Sequence, residues 1–132
     1  MPTKIEFAAG TIYYVRDDKL RLPGPDRQMH ERRPVLVVSD QTRMHGQNAE
    51  PSSKFASVLV VPITSSGARK TQFDWPIEAG DGNITKRGWI RIPALQPIDK
   101  DDLEDMLGSV KPDTLKRVTA QILYYLGLIK PP

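Results

Sequence analysis

The sequence predicts a mainly β (α+β) domain closed by helices at its C-terminal end. Short runs rich in β-branched and aromatic residues recur between Gly10 and Glu78, separated by polar or Pro/Gly-containing stretches. Helix start and stop signals gather only after Asp99. A length of 132 residues, with 39% apolar and 27% charged, suits one hydrophobic core rather than two, and is too apolar for a disordered chain. Residues 1–132 are therefore read as a single domain, with Pro131-Pro132 as a frayed tail.

The first run, Thr11-Ile12-Tyr13-Tyr14-Val15, is expected as a strand, and Leu20 to Arg32 follows as a Pro/Gly-containing basic loop. Pro34-Val35-Leu36-Val37-Val38 and Val58-Leu59-Val60-Val61-Pro62-Ile63 are continuously apolar, as strands covered on both faces are, and mark the centre of the sheet. A polar loop, Gln41 to Ser57, joins them, which suits antiparallel neighbours. Gln72-Phe73-Asp74-Trp75 and Gly88-Trp89-Ile90-Arg91-Ile92 are expected as further strands around the turn-rich Gly80-Asp81-Gly82-Asn83.

Asp99 then reads as the N-cap of a short helix that stops near Gly108, its acids matching the positive end of the helix dipole. A last helix is expected from Pro112 to Leu126, with Leu115, Val118, Ile122 and Leu126 along one stripe and Gly127 as terminator.

Composition excludes several classes of function. Without cysteine there are no disulfides and no thiolate chemistry, and no apolar run approaches the roughly 20 residues of a membrane span. A cytoplasmic protein with no membrane association is expected. The acids Asp99, Asp101, Asp102, Glu104 and Asp105 face only Lys100 locally, a net −4, so the rest of the chain carries +7 of the overall +3. That surplus suits a polyanion such as nucleic acid, and equally a solvated surface of mixed charge. No phosphate-binding glycine loop, nucleophile elbow or paired histidine motif is present. His30 and His45 stand alone in separate loops, so no metal site and no cofactor is expected.

The informative relation is between Arg33-Pro34, which opens the second run, and Ile63-Thr64-Ser65-Ser66, which closes the third. If those strands pair antiparallel, the start of one meets the end of the other, and an Arg and a hydroxyl together can grip a phosphate. Gly10-Thr11-Ile12-Tyr13, Arg33-Pro34-Val35-Leu36-Val37-Val38-Ser39, Val61-Pro62-Ile63-Thr64-Ser65 and Ile98-Asp99-Lys100 follow the order and rough spacing of the MazF/PemK toxin family. The resemblance spans about Gly10 to Leu128.

It implies a small, bent, SH3-like (CcdB-type) antiparallel β-barrel with a short helix and a C-terminal helix, and a homodimer. It also implies a toxin that is paired with a cognate antitoxin protein and cuts single-stranded RNA, mRNA included, without metal, so that translation and growth stop. By position the family's reactive Arg and Thr match Arg33 and Thr64, and the late-strand Arg of the Kid/PemK branch matches Arg91. His30, three residues before Arg33, is the candidate for proton transfer. Arg27, Arg32, Ser65, Arg69 and Lys70 are candidates for RNA contact, while Trp75 and Trp89 qualify by residue type alone.

Two departures stand out. Pro93 replaces an acid of that branch, and Gln96 lies where the family's Gln-x-Arg element differs. Two other readings remain open: a CcdB-like gyrase poison, which needs no Arg33–Thr64 pair, and a barrel that binds RNA or protein without cutting.

Overall fold

Continuously apolar strands need cover on both faces, and the fold supplies it. The computed structural model describes residues 7–22, 31–40, 57–67 and 70–132. Its strands are β1 (Thr11–Arg16), β2 (Arg32–Val37), β3 (Ser57–Thr64), β4 (Trp75–Ile77), β5 (Gly88–Ile90), β6 (Gln96–Asp99) and β7 (Leu103–Ser109), followed by helix α1 (Pro112–Tyr125). All pairings are antiparallel, in the order β4-β5-β3-β2-β1-β7, with β6 also on β3. The mainly β class with a C-terminal helix thus holds, but the sheet is open rather than a closed barrel.

β3 is the hub. Its 8 residues pair Val60, Val61 and Pro62 with β2, Ser57 through Val60 with β6, and Ile63 and Thr64 with β5. Because successive side chains alternate faces, β1, β2 and β3 feed two apolar clusters. Ile12, Leu36, Val61 and Ile63 join Ile90, Ile92 and Val118 on one side. Tyr13, Val15, Val35, Val37, Val58 and Val60 join Leu20 and Ile98 on the other.

Helix α1 begins with Pro112 at its first position, as the sequence predicts, and gives way to Gly127 at φ 77°. Its N-terminus is capped from a distance. Asp81 Oδ1 accepts from the Lys111 backbone N–H at 2.9 Å and Oδ2 from the Thr114 hydroxyl at 2.5 Å. Leu115, Val118 and Ile122 pack on the first cluster, but Leu126 is 57% exposed and falls outside the expected stripe.

The short helix expected from Asp99 to Gly108 is not formed. Asp99 ends β6, a 3-10 turn covers Lys100–Asp102, and Leu103–Ser109 is strand β7. Pairing with β1 gives the inner edge of β7 its hydrogen-bond partners, and register slips on either side of Tyr13 let Leu103 pack on one cluster and Leu107 on the other. Asp105 lies at this irregularity, with φ 33°. Tertiary pairing has overridden a good local helix signal.

The run Gln72 to Trp75 is also displaced: Thr71–Asp74 forms a turn and the strand starts at Trp75. Arg91 follows β5, and Ile92 belongs to a 3-10 turn, Ile92–Ala94. Among the described residues no helix is long and apolar enough to cross a membrane.

Candidate active site

The antiparallel register of β2 and β3, with Val35 opposite Pro62, brings the start of β2 beside the end of β3. A cleft of about 200 Å³ opens there. Arg32, Arg33 and Pro34 of β2 line it with Tyr14 of β1, and Ile63, Thr64 and Ser65 line it from β3. Its far wall is the segment 84–88, Ile-Thr-Lys-Arg-Gly, and Leu107 of β7 completes it.

Arg33 and Thr64 are each only 4% exposed. A buried guanidinium needs a counter-charge, since an unpaired charge away from water is very costly. Asp17, in the 3-10 turn after β1, supplies it: Arg33 Nε donates to Asp17 Oδ1 at 2.9 Å. Asp17 is the residue that sequence reasoning missed. With Val15 opposite Arg33, position 17 is the diagonal neighbour on the same face and within reach of a long side chain. The Thr64 hydroxyl donates to the Ser66 carbonyl at 3.1 Å, which fixes its rotamer beside the turn.

Ser65 is exposed at the rim, and so is Arg32. The Arg32 guanidinium lies 4.1 Å from the centroid of the Tyr14 ring and donates from Nη1 to Asp105 Oδ2 at 2.8 Å, with Glu104 at 3.7 Å. The hydrogen bond to Asp105 raises its pKa above the ordinary arginine value, with Coulombic attraction to Asp105, Tyr14 and Glu104 adding to it against desolvation. Arg32 is therefore a permanent cation at this site.

Lys70 holds its ammonium 4.3 Å from the centroid of the Trp89 ring. Trp75 is engaged elsewhere, under the Arg117 guanidinium at 4.0 Å. His30, Arg27 and Arg69 lie outside the described residues.

Arg91 is not among the residues that line the cleft. Its Nε sits 3.2 Å from Asp74 Oδ2, with both side chains buried. Asp74 also accepts from the Ile92 N–H at 3.0 Å and the Thr71 N–H at 2.7 Å. The pair ties the 71–74 turn to the end of β5. Pro93 lies in the same 3-10 turn. Gln96 clamps a backbone: its Oε1 accepts from Arg21 N–H and its Nε2 donates to Arg21 C=O, both at 2.9 Å. Among the described residues no cluster of three His, Asp or Glu side chains is arranged to hold a metal ion.

The cleft thus offers a buried, oriented cation and a buried hydroxyl under a cationic rim, a set suited to a phosphodiester and to the charge that builds on it during cleavage. Residues 8–126 match the family model described as PemK-like, MazF-like toxin of type II toxin-antitoxin system. A search of curated proteins gives no significant match.

Solved structures of similar fold include a mycobacterial endoribonuclease in complex with its cognate antitoxin, at 22% identity and TM-score 0.65, covering 94% of this chain and 98% of that one. The Mycobacterium tuberculosis toxin MazF-mt6 aligns at 19% identity and TM-score 0.64, covering 90% and 98%. A MazE-MazF structure from Deinococcus radiodurans aligns at 19% identity and TM-score 0.62, covering 92% and 96%.

Proposed function

The chain belongs to the PemK-like, MazF-like toxin family of type II toxin–antitoxin systems, and from that premise we propose that it is an endoribonuclease that cuts single-stranded RNA, mRNA included, without a metal ion. The observation that carries this reading is the meeting of Arg33 and Thr64 in one cleft through the β2–β3 register.

Cleavage of this kind begins when the ribose 2′-oxygen attacks the adjacent phosphorus. Its proton passes to a base, negative charge gathers on the phosphate oxygens, and the departing 5′-oxygen takes up a proton. The products are a 2′,3′-cyclic phosphate and a 5′-hydroxyl. Arg33 supplies the charge stabilisation, because a planar guanidinium pairs with two phosphate oxygens. It acts from a water-poor floor, where fixed charges count for more than in bulk water.

Asp17 is a positioning residue that orients Arg33 through Nε. Thr64 and Ser65 hold the phosphate in line, and Arg32 and Lys70 attract the neighbouring backbone. A guanidinium is a poor base near neutrality, so proton transfer is assigned to His30, whose ordinary pKa of about 6.5 suits it. Arg27 and Arg69 are assigned to RNA contact. Arg91, held by Asp74, is assigned a structural part.

The chain's partners under this reading are single-stranded RNA, a cognate antitoxin as in the solved complexes of similar fold, and a second copy of itself. Exposed Leu126, Leu128 and Ile129 near the C-terminus support an association surface.

The test incubates purified protein with long single-stranded RNA in EDTA and maps the cut sites and end groups. Cuts at a recurring short sequence, ending in cyclic phosphate, are expected. Intact RNA would overturn the reading and return the gyrase-poison and binding-only readings.

A further inference from the structure

The far wall of the cleft is not used by the chemistry just described. It is built from Thr85-Lys86-Arg87-Gly88, which leads directly into Trp89. Trp89 pairs with Thr64 across β5 and β3, so the indole is in register with the candidate catalytic hydroxyl. Two glycines make this approach possible. A Cβ at Gly88 would stand 2.8 Å from the Thr64 carbonyl oxygen, and one at Gly67 would stand 2.5 Å from the indole Nε1. The turn after Thr64 therefore lies directly against the tryptophan.

The indole already has cationic company. Lys70 Nζ is 4.3 Å and Arg87 Cζ 5.5 Å from its centroid, both within the range of a cation–π contact. Lys70 comes from the chain after β3 and Arg87 from the chain before β5, so one ring gathers charges from two segments. Arg87 also pairs with Glu78 at 3.0 Å, but the two side chains are 58% and 70% exposed, so water and salt screen that pair and a phosphate can compete with it. Lys86 is exposed and has no ion-pair partner among the described residues.

We propose that Trp89 is a positioning residue that holds Lys70 and Arg87, with Lys86, as a second anionic subsite for the phosphodiester next to the one held by Arg33 and Thr64. The subsite rests on the reading of the cleft as an RNA site. Its ligand is a backbone phosphate of single-stranded RNA. Trp89 is not a free shelf for a base, because lysine and arginine already occupy its ring. Its part is to keep two long side chains in place before RNA arrives, which spares the ordering they otherwise undergo on binding.

The test measures binding of a short 2′-O-methyl oligoribonucleotide of mixed sequence across a salt series. The probe resists cleavage because its nucleophilic hydroxyls are capped. Lys86→Ala and Arg87→Ala are each expected to reduce the slope of log affinity against log salt by about 0.7, one lost phosphate contact on a single strand. Trp89→Leu removes no charge, yet is expected to weaken binding about two- to fivefold, the equivalent of a lost cation–π contact. Trp89→Phe keeps an aromatic face and should stay close to wild type.

Thermal melts report the folded fraction, and Trp89→Phe carries the test if the leucine variant does not fold, by retaining the wild-type slope and affinity. Unchanged slopes in both Ala variants, equal affinities for the leucine and phenylalanine variants, or a folded phenylalanine variant with lost affinity would overturn the subsite. A wild type that cuts RNA while the slopes stay fixed would sink the subsite and leave the endoribonuclease reading standing. Expected slope losses with no cutting by the wild type would do the reverse.

Discussion

The molecule buries two Arg–Asp pairs of nearly the same chemistry and sets them in different surroundings. Arg33–Asp17 closes at 2.9 Å and Arg91–Asp74 at 3.2 Å, and all four side chains are at least nine-tenths buried. Arg33 lines a cleft beside a hydroxyl and several surface cations. Arg91 lies away from that lining, and its partner Asp74 also accepts two backbone N–H groups. Burial and pairing therefore do not separate the two arginines. What differs is position at an opening, together with a neighbour whose chemistry complements the charge.

The comparison can be broken at either pair, and the largest effect belongs to the structural one. Asp74→Ala removes the buried carboxylate that faces Arg91 and leaves two backbone donors without their acceptor, so urea denaturation should show a loss of about 3–5 kcal/mol. A loss below about 1 kcal/mol would mean that Asp74 is no lock, since that is the scale of an exposed pair. On the cleft side, Thr64→Val removes a hydroxyl while keeping shape. Cleavage should fall by about 10²-fold, the cost of losing a group that positions the phosphate, and stability by only about 1 kcal/mol.

Asp81→Ala removes the remote cap of α1, which touches neither pair. It should cost about 1–2 kcal/mol in the same denaturation experiment and leave RNA cleavage unaltered. Smallest of all, Asp105→Asn loosens only the exposed contact with Arg32. Because that contact raises the folded-state pKa of Arg32, its contribution is present below the arginine's ordinary titration and lost only as pH rises through the raised value. Stability profiles of wild type and variant should therefore run parallel through neutral pH.

Much of this arrangement was legible in the sequence. The apolar runs around Val35 and Val60 read as covered strands, and antiparallel pairing between them, a condition the sequence leaves open, brings Arg33 to the same end as Thr64. The bounds of α1 followed from Pro112 and Gly127. Strand β7 was misread because acids after Asp99 satisfy a helix dipole and also an exposed edge strand, and only the pairing with β1 decides between them.

Asp17 went unseen because its significance depends on the β1–β2 register. Arg91 was placed at the site by resemblance, while Asp74, which holds it, lies in a turn that the sequence read as strand. Trp89 was weighed by residue type alone, since its cations converge from two segments of the chain.

The most direct measurement is single-turnover RNA cleavage by Arg33→Ala and Arg91→Ala side by side, with rates normalised to the folded fraction of each. The arrangement described here predicts that Arg33→Ala loses about 10³-fold or more, while folded Arg91→Ala molecules cut at close to the wild-type rate. Equal losses in both variants, or an Arg33→Ala protein that still cuts, would contradict it.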